Sequence, residues 1–134
     1  SMTTIKIPLT IDIVAEQLKQ IQQIEGVTEV SVTGDGQLVV IAEKDENDVI
    51  SQVLNQINGF DAKLSVIESD FPVEKLTCGG CAASAERLLN NQPGVVTASV
   101  KFPTKSAKIY YLQNKTTPLK LKVALEQLGY ELKI

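Results

Sequence analysis

The stretch Thr77-Cys78-Gly79-Gly80-Cys81-Ala82-Ala83 lies where the second half of the chain changes from a strand pattern to a helix pattern. It holds the only two cysteines of a 134-residue chain that has no histidine. Soft thiolate sulfurs favour ions such as Cu(I) and Zn(II). Two thiols separated only by glycines can close on one ion or on each other, so this stretch is the candidate functional site.

Working outward from this stretch, the second half predicts the element order β-α-β-β-α-β. Phe71 and Val73 begin a strand, Pro93-Gly94 ends the first helix, and Thr117-Pro118 supplies the N-cap and N1 of the second helix. The apolar residues follow helical or alternating spacing. They are Ala82, Ala85, Leu88 and Leu89 on the first helix, Ala98, Val100 and Phe102, then Ala107, Ile109 and Tyr111 on two strands, and Leu121, Leu125 and Leu128 on the second helix.

The first half shows the same succession of patterns. The sequence predicts a strand, a helix capped by Thr10 or Asp12, a hairpin at Gly34-Asp35-Gly36, and a second helix with Gly59 at C′. The candidates for opening that second helix are Asp45, Asn47 and Asp48. The predicted apolar positions are Ile5, Ile7 and Leu9, then Val14, Leu18, Ile21 and Ile24, then Val49, Val53, Leu54 and Ile57, then a fourth strand through Ala62, Leu64 and Val66.

These two patterns indicate an internal duplication. Glu25-Gly26-Val27 corresponds to Pro93-Gly94-Val95, and Gly59-Phe60 corresponds to Gly129-Tyr130. We therefore predict an α+β chain of two tandem ferredoxin-like domains, residues 3–68 and 69–134, joined at Glu68-Ser69-Asp70. Each domain would have a four-stranded antiparallel sheet with two helices on one face.

Only the second copy contains sulfur ligands at this place in the fold. Counting back from Gly26 without gaps, Cys78 and Cys81 correspond to Thr10 and Ile13, and a shift of one residue gives Ile11 and Val14. The first domain is therefore expected to be a degenerate copy without a C-x-x-C metal site.

The two predicted domains also differ in net charge. Residues 1–68 carry eleven acidic and four basic side chains, whereas residues 69–134 carry five acidic and nine basic ones, which together give the net charge of −3. Opposite charge suggests a contact between the two domains. Scattered lysines with only three Tyr and three Phe argue against nucleic-acid binding. No apolar run approaches the ~18 residues of a membrane helix, so we expect no membrane insertion of this segment.

Four kinds of site compete for the cysteine pair. A structural zinc site needs four ligands, and one chain offers two sulfurs. A thiol–disulfide oxidoreductase uses C-x-x-C in a thioredoxin-like context, which β-α-β-β-α-β does not match. Two small buried residues that happen to be cysteine are disfavoured by the Gly-Gly between them. The pattern favours an exchangeable two-thiolate metal site near a helix N-terminus, where the dipole lowers a thiol pKa.

The second domain resembles the heavy-metal-associated domain family. The shared motifs are T-C-x-x-C-A from Thr77, P-G-V from Pro93 and a closing L-G-Y at Tyr130, spread over most of that half. The resemblance implies a metal site at Cys78 and Cys81, with Thr77, Gly79, Gly80 and Tyr130 supporting the loop. Lys75-Leu76 departs from the Gly-Met common in the family, with Leu76 taking the place of the methionine. Thr77 implies Cu(I) rather than Zn(II) or Cd(II), and Hg(II) stays open.

The same resemblance implies a role. The chain is expected to be the cytosolic N-terminal region of a copper-exporting P-type ATPase, taking Cu(I) from a copper chaperone and contacting other domains of that membrane ATPase. As given, it would not be an enzyme. The alternatives are the metal-capturing N-terminal region of a mercuric reductase and a free-standing copper chaperone.

Overall fold

The structure, a computed structural model, describes residues 1–43, 48–61 and 63–134. The chain divides into two compact units, Ser1–Leu64 and Ser65–Ile134. Each unit places two helices against an antiparallel sheet. The predicted tandem ferredoxin-like arrangement is therefore confirmed.

In the first unit, the described residues form a three-stranded sheet and two helices. The elements are β1 (Met2–Pro8), α1 (Ala15–Gln22), β2 (Val27–Val32), β3 (Gln37–Glu43) and α2 (Val49–Phe60). The strand order is β1-β3-β2, with both pairings antiparallel and Ile5 opposite Val40. The side chains of Ile5, Ile7 and Ile21 are fully buried, which confirms the core positions predicted for β1 and the middle of α1.

In the second unit, a four-stranded sheet positions the cysteine stretch. The elements are β4 (Val66–Glu74), α3 (Gly79–Asn90), β5 (Val95–Lys101), β6 (Ser106–Leu112), α4 (Pro118–Glu126) and β7 (Glu131–Leu132). The strand order is β5-β6-β4-β7, and all pairings are antiparallel. Ala85 and Leu89 of α3 and Leu121 and Leu125 of α4 pack with the sheet residues into one core.

The predicted fourth strand of the first unit is wrong. Val66 instead begins β4, where it lies opposite Leu112 in the sheet of the second unit, and Ala62 lies outside the described residues. Burial alternates along β4 from Ile67 onward, and Ser69 is half-buried on the same face as Ile67 and Phe71. The three consecutive polar residues Glu68-Ser69-Asp70 hide this period in the sequence, so they resemble a junction instead of the middle of a strand. The junction predicted at 68–70 therefore falls inside β4, where Glu68 forms an ion pair with Lys108 at 3.5 Å.

The helix starts differ from the sequence-based prediction in the first unit only. Val14 is the N-cap of α1, and its backbone N–H donates to Gln17 Oε1 at 2.9 Å, so neither Thr10 nor Asp12 caps that helix. Val14 is consequently exposed rather than part of the core. Of the three residues proposed to open α2, Asp48 is the N-cap, while Asp45 and Asn47 lie outside the part of the chain that the structure describes.

Two further end positions need correction, and one cap prediction is confirmed. Gly59 lies within α2 instead of after it, because the helix continues to Phe60. Leu128 follows α4 and is exposed, so it is not part of the predicted core face. Thr117 caps α4 as predicted, accepting a hydrogen bond from Lys120 N at 3.3 Å.

The helices are short. The longest of those described, α2 and α3, have twelve residues each. Within the described ranges, no helix has both the length and the apolar character required to cross a membrane.

Candidate metal site

The cysteine stretch connects the end of β4 to the start of α3. Leu76 enters the core of the second unit and is only 4% exposed, so it anchors the loop from below. Thr77 and Cys78 follow in exposed positions, and the helix begins at Gly79. A buried anchor on one side and a helix on the other therefore hold the two cysteines at the surface.

The helix start itself sets the positions of the two sulfurs. Cys78 is the N-cap of α3, and its Sγ accepts a hydrogen bond from the backbone N–H of Cys81 at 3.2 Å. This contact satisfies one of the N–H groups that a helix leaves unpaired at its first turn. Cys81 lies in that turn, and the two Sγ atoms are 2.8 Å apart. The local backbone therefore brings the thiols together without a disulfide, and both cysteines are free.

The two thiols differ in exposure. Cys78 is exposed, whereas Cys81 is half-buried and packs against the core of the unit. An incoming group thus meets Cys78 first, with Cys81 behind it. This arrangement suits the exchange of a ligand with a partner molecule.

Hydrogen bonds around Cys81 stabilise its thiolate form. The contact with Cys78, followed by those with Thr77 and Tyr130, lowers the pKa of Cys81 from 9.0 to about 6, against a small opposing effect of burial. The Thr77 Oγ1 atom lies 3.5 Å from Cys81 Sγ. Near neutral pH, Cys81 is therefore largely a thiolate, the form that binds metals.

Tyr130 reaches the site from the other end of the unit's second helix. It follows Gly129, whose φ of +83° allows the chain to turn back from α4 towards β7. Its side chain is half-buried against the core, and its hydroxyl bonds to Cys81, which raises the pKa of Tyr130. Tyr130 therefore lies beside the cysteine stretch, and its support of a metal site stays a prediction.

The two glycines of the stretch have a different role from the one expected. Their place between the cysteines suggests a tight turn, yet neither has a positive φ, and both lie in the first turn of α3. A Cβ at Gly79 would meet nothing within 4 Å, and one at Gly80 would lie 3.7 Å from Cys78 Sγ. The two glycines therefore leave the space beside the sulfurs free of side chains, and they do not supply an unusual backbone conformation.

The structure brings Thr77, Cys78, Cys81 and Tyr130 together, with Gly79 and Gly80 between the sulfurs. Among the residues that it describes, no group of three or more His, Cys, Asp or Glu side chains could hold a metal ion. The sequence reasoning did not single out the backbone at Lys75, which has a φ of +72° just before the loop. The only signal for it was the Lys75-Leu76 pair in a place where the resembling family commonly has Gly-Met.

The corresponding loop of the first unit is built on a carboxylate instead of sulfur. Asp61, which is 1% exposed, accepts a hydrogen bond from Thr10 N at 2.7 Å and another from the Thr10 hydroxyl. Residues 11–14, which match the first turn of α3, are not helical, and α1 begins only at Ala15. The sulfur-free loop is thus tied to the end of α2 and lacks the helical turn that carries Cys81 in the second unit.

Comparison with known proteins gives a family and a set of relatives. The family model of the heavy-metal-associated domain matches residues 70–131. A copper-exporting P-type ATPase of Staphylococcus aureus (strain Newman) is 32% identical over 92 residues, which is 67% of this chain and 11% of that protein. The chain therefore spans only about a tenth of the length of this curated relative.

Two solved structures extend the comparison. The N-terminal soluble domains of Bacillus subtilis CopA align over 99% of this chain and 93% of theirs, with a TM-score of 0.57 and 24% identity, which supports the tandem fold. The N-terminal domain of a potential copper-translocating P-type ATPase from Bacillus subtilis, solved in the Cu(I)-loaded state, is 33% identical. The alignment covers 52% of this chain and 88% of the Bacillus subtilis domain, with a TM-score of 0.50.

Proposed function

The chain belongs to the heavy-metal-associated domain family through residues 70–131, and on this basis we propose that it binds and passes on one Cu(I) ion through Cys78 and Cys81. The observation that carries the proposal is the pair of Sγ atoms, 2.8 Å apart at an open helix start. Soft thiolates select Cu(I) and Zn(II), but Zn(II) in structural sites takes four ligands. A two-sulfur site favours Cu(I) over Zn(II) and Cd(II), and Hg(II), which also accepts two thiolates, is the alternative that coordination number leaves open.

The neighbouring residues would support this site. The Cys78 thiol, Thr77 and Tyr130 bond to Cys81 and keep it deprotonated, so Cys81 can bind the ion without first losing a proton. Gly79 and Gly80 leave the approach to the sulfurs free of side chains. Leu76 holds the loop on the core while the ligands exchange.

The exposure of Cys78 supports a transfer role rather than storage. A copper chaperone would present Cu(I) on its own thiolates, and Cys78 would enter first to give a shared three-sulfur intermediate. Cys81 would then replace one donor sulfur and the second donor sulfur would depart, which leaves Cu(I) on Cys78 and Cys81. A departing donor thiolate would take up the proton that Cys78 loses. No oxidation or bond cleavage within the chain is involved, so the chain acts as a metal carrier and not as an enzyme.

The similarity to copper-exporting ATPases supports a parent protein. We infer that this chain is the cytosolic N-terminal region of such a transporter, delivering Cu(I) to the other domains of the membrane ATPase. The first unit would be a degenerate copy that keeps the fold and binds no metal at its Thr10 loop. The gene beyond Ile134 tests this directly. Membrane helices are expected there, whereas a dinucleotide-binding sequence would indicate a mercuric reductase and a stop codon a free-standing chaperone.

Metal selectivity tests the site. The whole chain is titrated with Cu(I) against a chromogenic chelator, in the absence and presence of excess Zn(II), alongside the variants C78S and C81S. We expect Cu(I) to be retained against Zn(II), and each variant to lose at least a hundredfold in affinity because it has one thiolate left. Displacement of Cu(I) by Zn(II), or full Cu(I) affinity in either variant, would overturn the proposal.

A further inference from the structure

Lys75 adopts a backbone conformation that side chains rarely take, directly before the metal loop. Its φ is +72°, in the left-handed region that a Cβ disfavours. Glycine would be the default residue at such a position. The lysine there has an exposed side chain, so it places an ammonium group at this end of the sheet.

A second lysine with the same unusual backbone lies close by. Lys105, in the hairpin between β5 and β6, has a φ of +49°. Its carbonyl accepts a hydrogen bond from Val73 N at 2.8 Å, so the hairpin tip lies beside the end of β4, two residues before Lys75. In the second unit, Lys75 and Lys105 are the described non-glycine residues with positive φ, and both are at the loop end.

The carboxylates at this end are already paired. Glu74 lies 3.9 Å from Lys133, and Glu131 lies 3.4 Å from Lys133 and 3.6 Å from Lys122. Lys133, then Lys122, lower the pKa of Glu131, and Lys75 adds a smaller effect, which places its charge near the residue after Tyr130. In the ranges that the structure describes, neither Lys75 nor Lys105 forms an ion pair. Glu126, at the end of α4, also shares Lys122, with 3.7 Å between the Oε1 and Nζ atoms. With Lys75 and Lys105 added, the charges at the loop end sum to one ammonium group in excess.

We propose that Lys75 and Lys105 form a cationic rim that accelerates the capture of Cu(I) from anionic bis-thiolate complexes of small thiols. The inference rests on the proposed Cu(I) function and adds a class of donor to it. Cu(I) held by two thiolates carries one negative charge, and the product on Cys78 and Cys81 carries the same charge. Two anionic centres have to approach during the exchange, and the rim reduces their repulsion.

The exchange balances without any further reactant. Each step forms one copper–sulfur bond to Cys78 or Cys81 and breaks one copper–sulfur bond to the donor, and copper stays in the +1 state. Each cysteine proton that is lost passes to a departing donor thiolate, and a donor displaced by a cysteine that is already ionised leaves as a thiolate. The copper complex therefore carries a charge of −1 both before and after the transfer.

The short range of the rim favours a small donor. Screening limits the rim to a range of about 8 Å at physiological ionic strength. A small anion can lie entirely within this range and experience the local positive excess.

Matched thiols provide the test. Cu(I) is supplied to the whole chain as its complex with 2-mercaptoethanesulfonate, with 2-mercaptoethanol or with cysteamine, which share the thiolate chemistry but differ in charge. Stopped-flow tyrosine fluorescence follows the transfer, since the chain has no tryptophan and Tyr130 bonds to Cys81. The variants are K75Q, K105Q and the control K115Q, which removes an exposed lysine in the turn at the other end of β6.

The prediction includes a change of sign between donors. K75Q should slow capture from the mercaptoethanol complex about threefold, the effect expected of one unit charge about 7 Å away in water. K75Q should slow Cu(I) capture from the more negative sulfonate complex by a larger factor. It should accelerate capture from the cysteamine complex, whose ammonium groups are repelled by Lys75. K105Q should act in the same direction, K115Q should change nothing, and about 1 M salt should remove the differences. K75G, which also relieves the backbone, should behave like K75Q.

The outcomes separate the rim from the metal site. Equal slowing of all three donors by K75Q would mean that Lys75 only positions the loop, and would overturn the rim. No effect of K75Q or K105Q on any donor would also overturn it. If the unmodified chain took Cu(I) from none of the three donors, the proposed Cu(I) function itself would be refuted.

Discussion

At the scale of single residues, the environment of Cys81 decides how the thiol pair behaves below neutral pH. The helix start and the contacts of Cys81 with Cys78, Thr77 and Tyr130 favour its deprotonated form. The sequence could predict the cysteines and the tyrosine because their types and spacing indicate metal chemistry. It could not predict that Cys81 becomes the thiolate, since this depends on hydrogen bonds that Cys78, Thr77 and Tyr130 make to its sulfur in the folded unit.

The pH dependence follows from the pKa of Cys81. Because the folded pKa is about 6 and the ordinary value is 9.0, the interactions that stabilise the thiolate are fully present above pH 9 and are lost as pH falls through 6. We expect the 13Cβ shift of Cys81 to titrate with a midpoint near 6. Below that pH, its contribution to metal affinity should fall about tenfold per unit. A midpoint near 9 would contradict this description of the site.

Removal of a single hydrogen bond tests the causes of the shift. Y130F and T77V each delete one hydroxyl that bonds to Cys81, while Val keeps the volume of Thr. Each change should raise the pKa of Cys81, by about one unit for a bond to a charged sulfur. The same 13C titration measures it. An unchanged midpoint in both variants would assign the shift to Cys78 and the helix alone.

At the scale of elements, the start of α3 is the feature that separates the two copies. In the second unit the helix begins directly after Cys78, whereas in the first unit α1 begins only after Val14. Helical periodicity predicted both helices, but it could not locate their first residues. The side chains that pair with the end N–H groups, Cys78 Sγ and Gln17 Oε1, come from geometry that spacing alone does not specify.

Two glycines of the second unit differ in backbone conformation, so replacing each by alanine should have opposite effects on stability. Gly79 is the first residue of α3 and has open space at its Cβ, so G79A should stabilise the second unit by about 0.4–1 kcal/mol, chiefly by restricting the unfolded chain. Gly94 has a φ of +86° and a Cβ would lie 3.0 Å from Thr116, so G94A should destabilise it by more than about 1 kcal/mol. Urea unfolding followed by the NMR signals of the second unit measures both changes. Equal effects of the two substitutions would contradict this assignment of the backbone.

At the scale of the whole molecule, two copies of one fold carry different chemistry. The duplication and the two-unit organisation could be predicted, because repeated Gly-Val motifs and apolar periods recur along the chain. The division between the units could not, since the polar run Glu68-Ser69-Asp70 that resembles a junction lies in the middle of a single strand. The tie between Thr10 and Asp61 was also missed, because the partners are 51 residues apart and neither matches a metal motif.

The hydrogen bonds from Thr10 to Asp61 predict a pH-dependent loss of stability that is confined to the first unit. Burial raises the pKa of Asp61, but hydrogen bonds from Thr10 and Lys63 and the charge of Lys63 outweigh it and leave that pKa below its usual value. The stabilisation is thus present above the ordinary carboxyl pKa and is lost as pH falls through the lower, folded value. D61A should destabilise the first unit by about 1–3 kcal/mol by leaving Thr10 unpaired.

Residue-resolved hydrogen exchange on the whole chain measures this effect. D61A should increase exchange in the first unit and leave that of α3 unchanged. Cu(I) stoichiometry should also stay the same, because the tie belongs to the copy without sulfur. An unaltered first unit in D61A would show that the loop is held by other contacts.

The most direct test of the central claim is the number of Cu(I) ions bound per chain, measured by competition with a chromogenic chelator on the whole chain and on the double variant C78S/C81S. We predict one tightly bound Cu(I) for the unmodified chain and none for the variant, with unchanged far-ultraviolet circular dichroism. Tight Cu(I) binding that survives in the double variant, or no tight binding in the unmodified chain, would contradict the assignment of the metal site to Cys78 and Cys81.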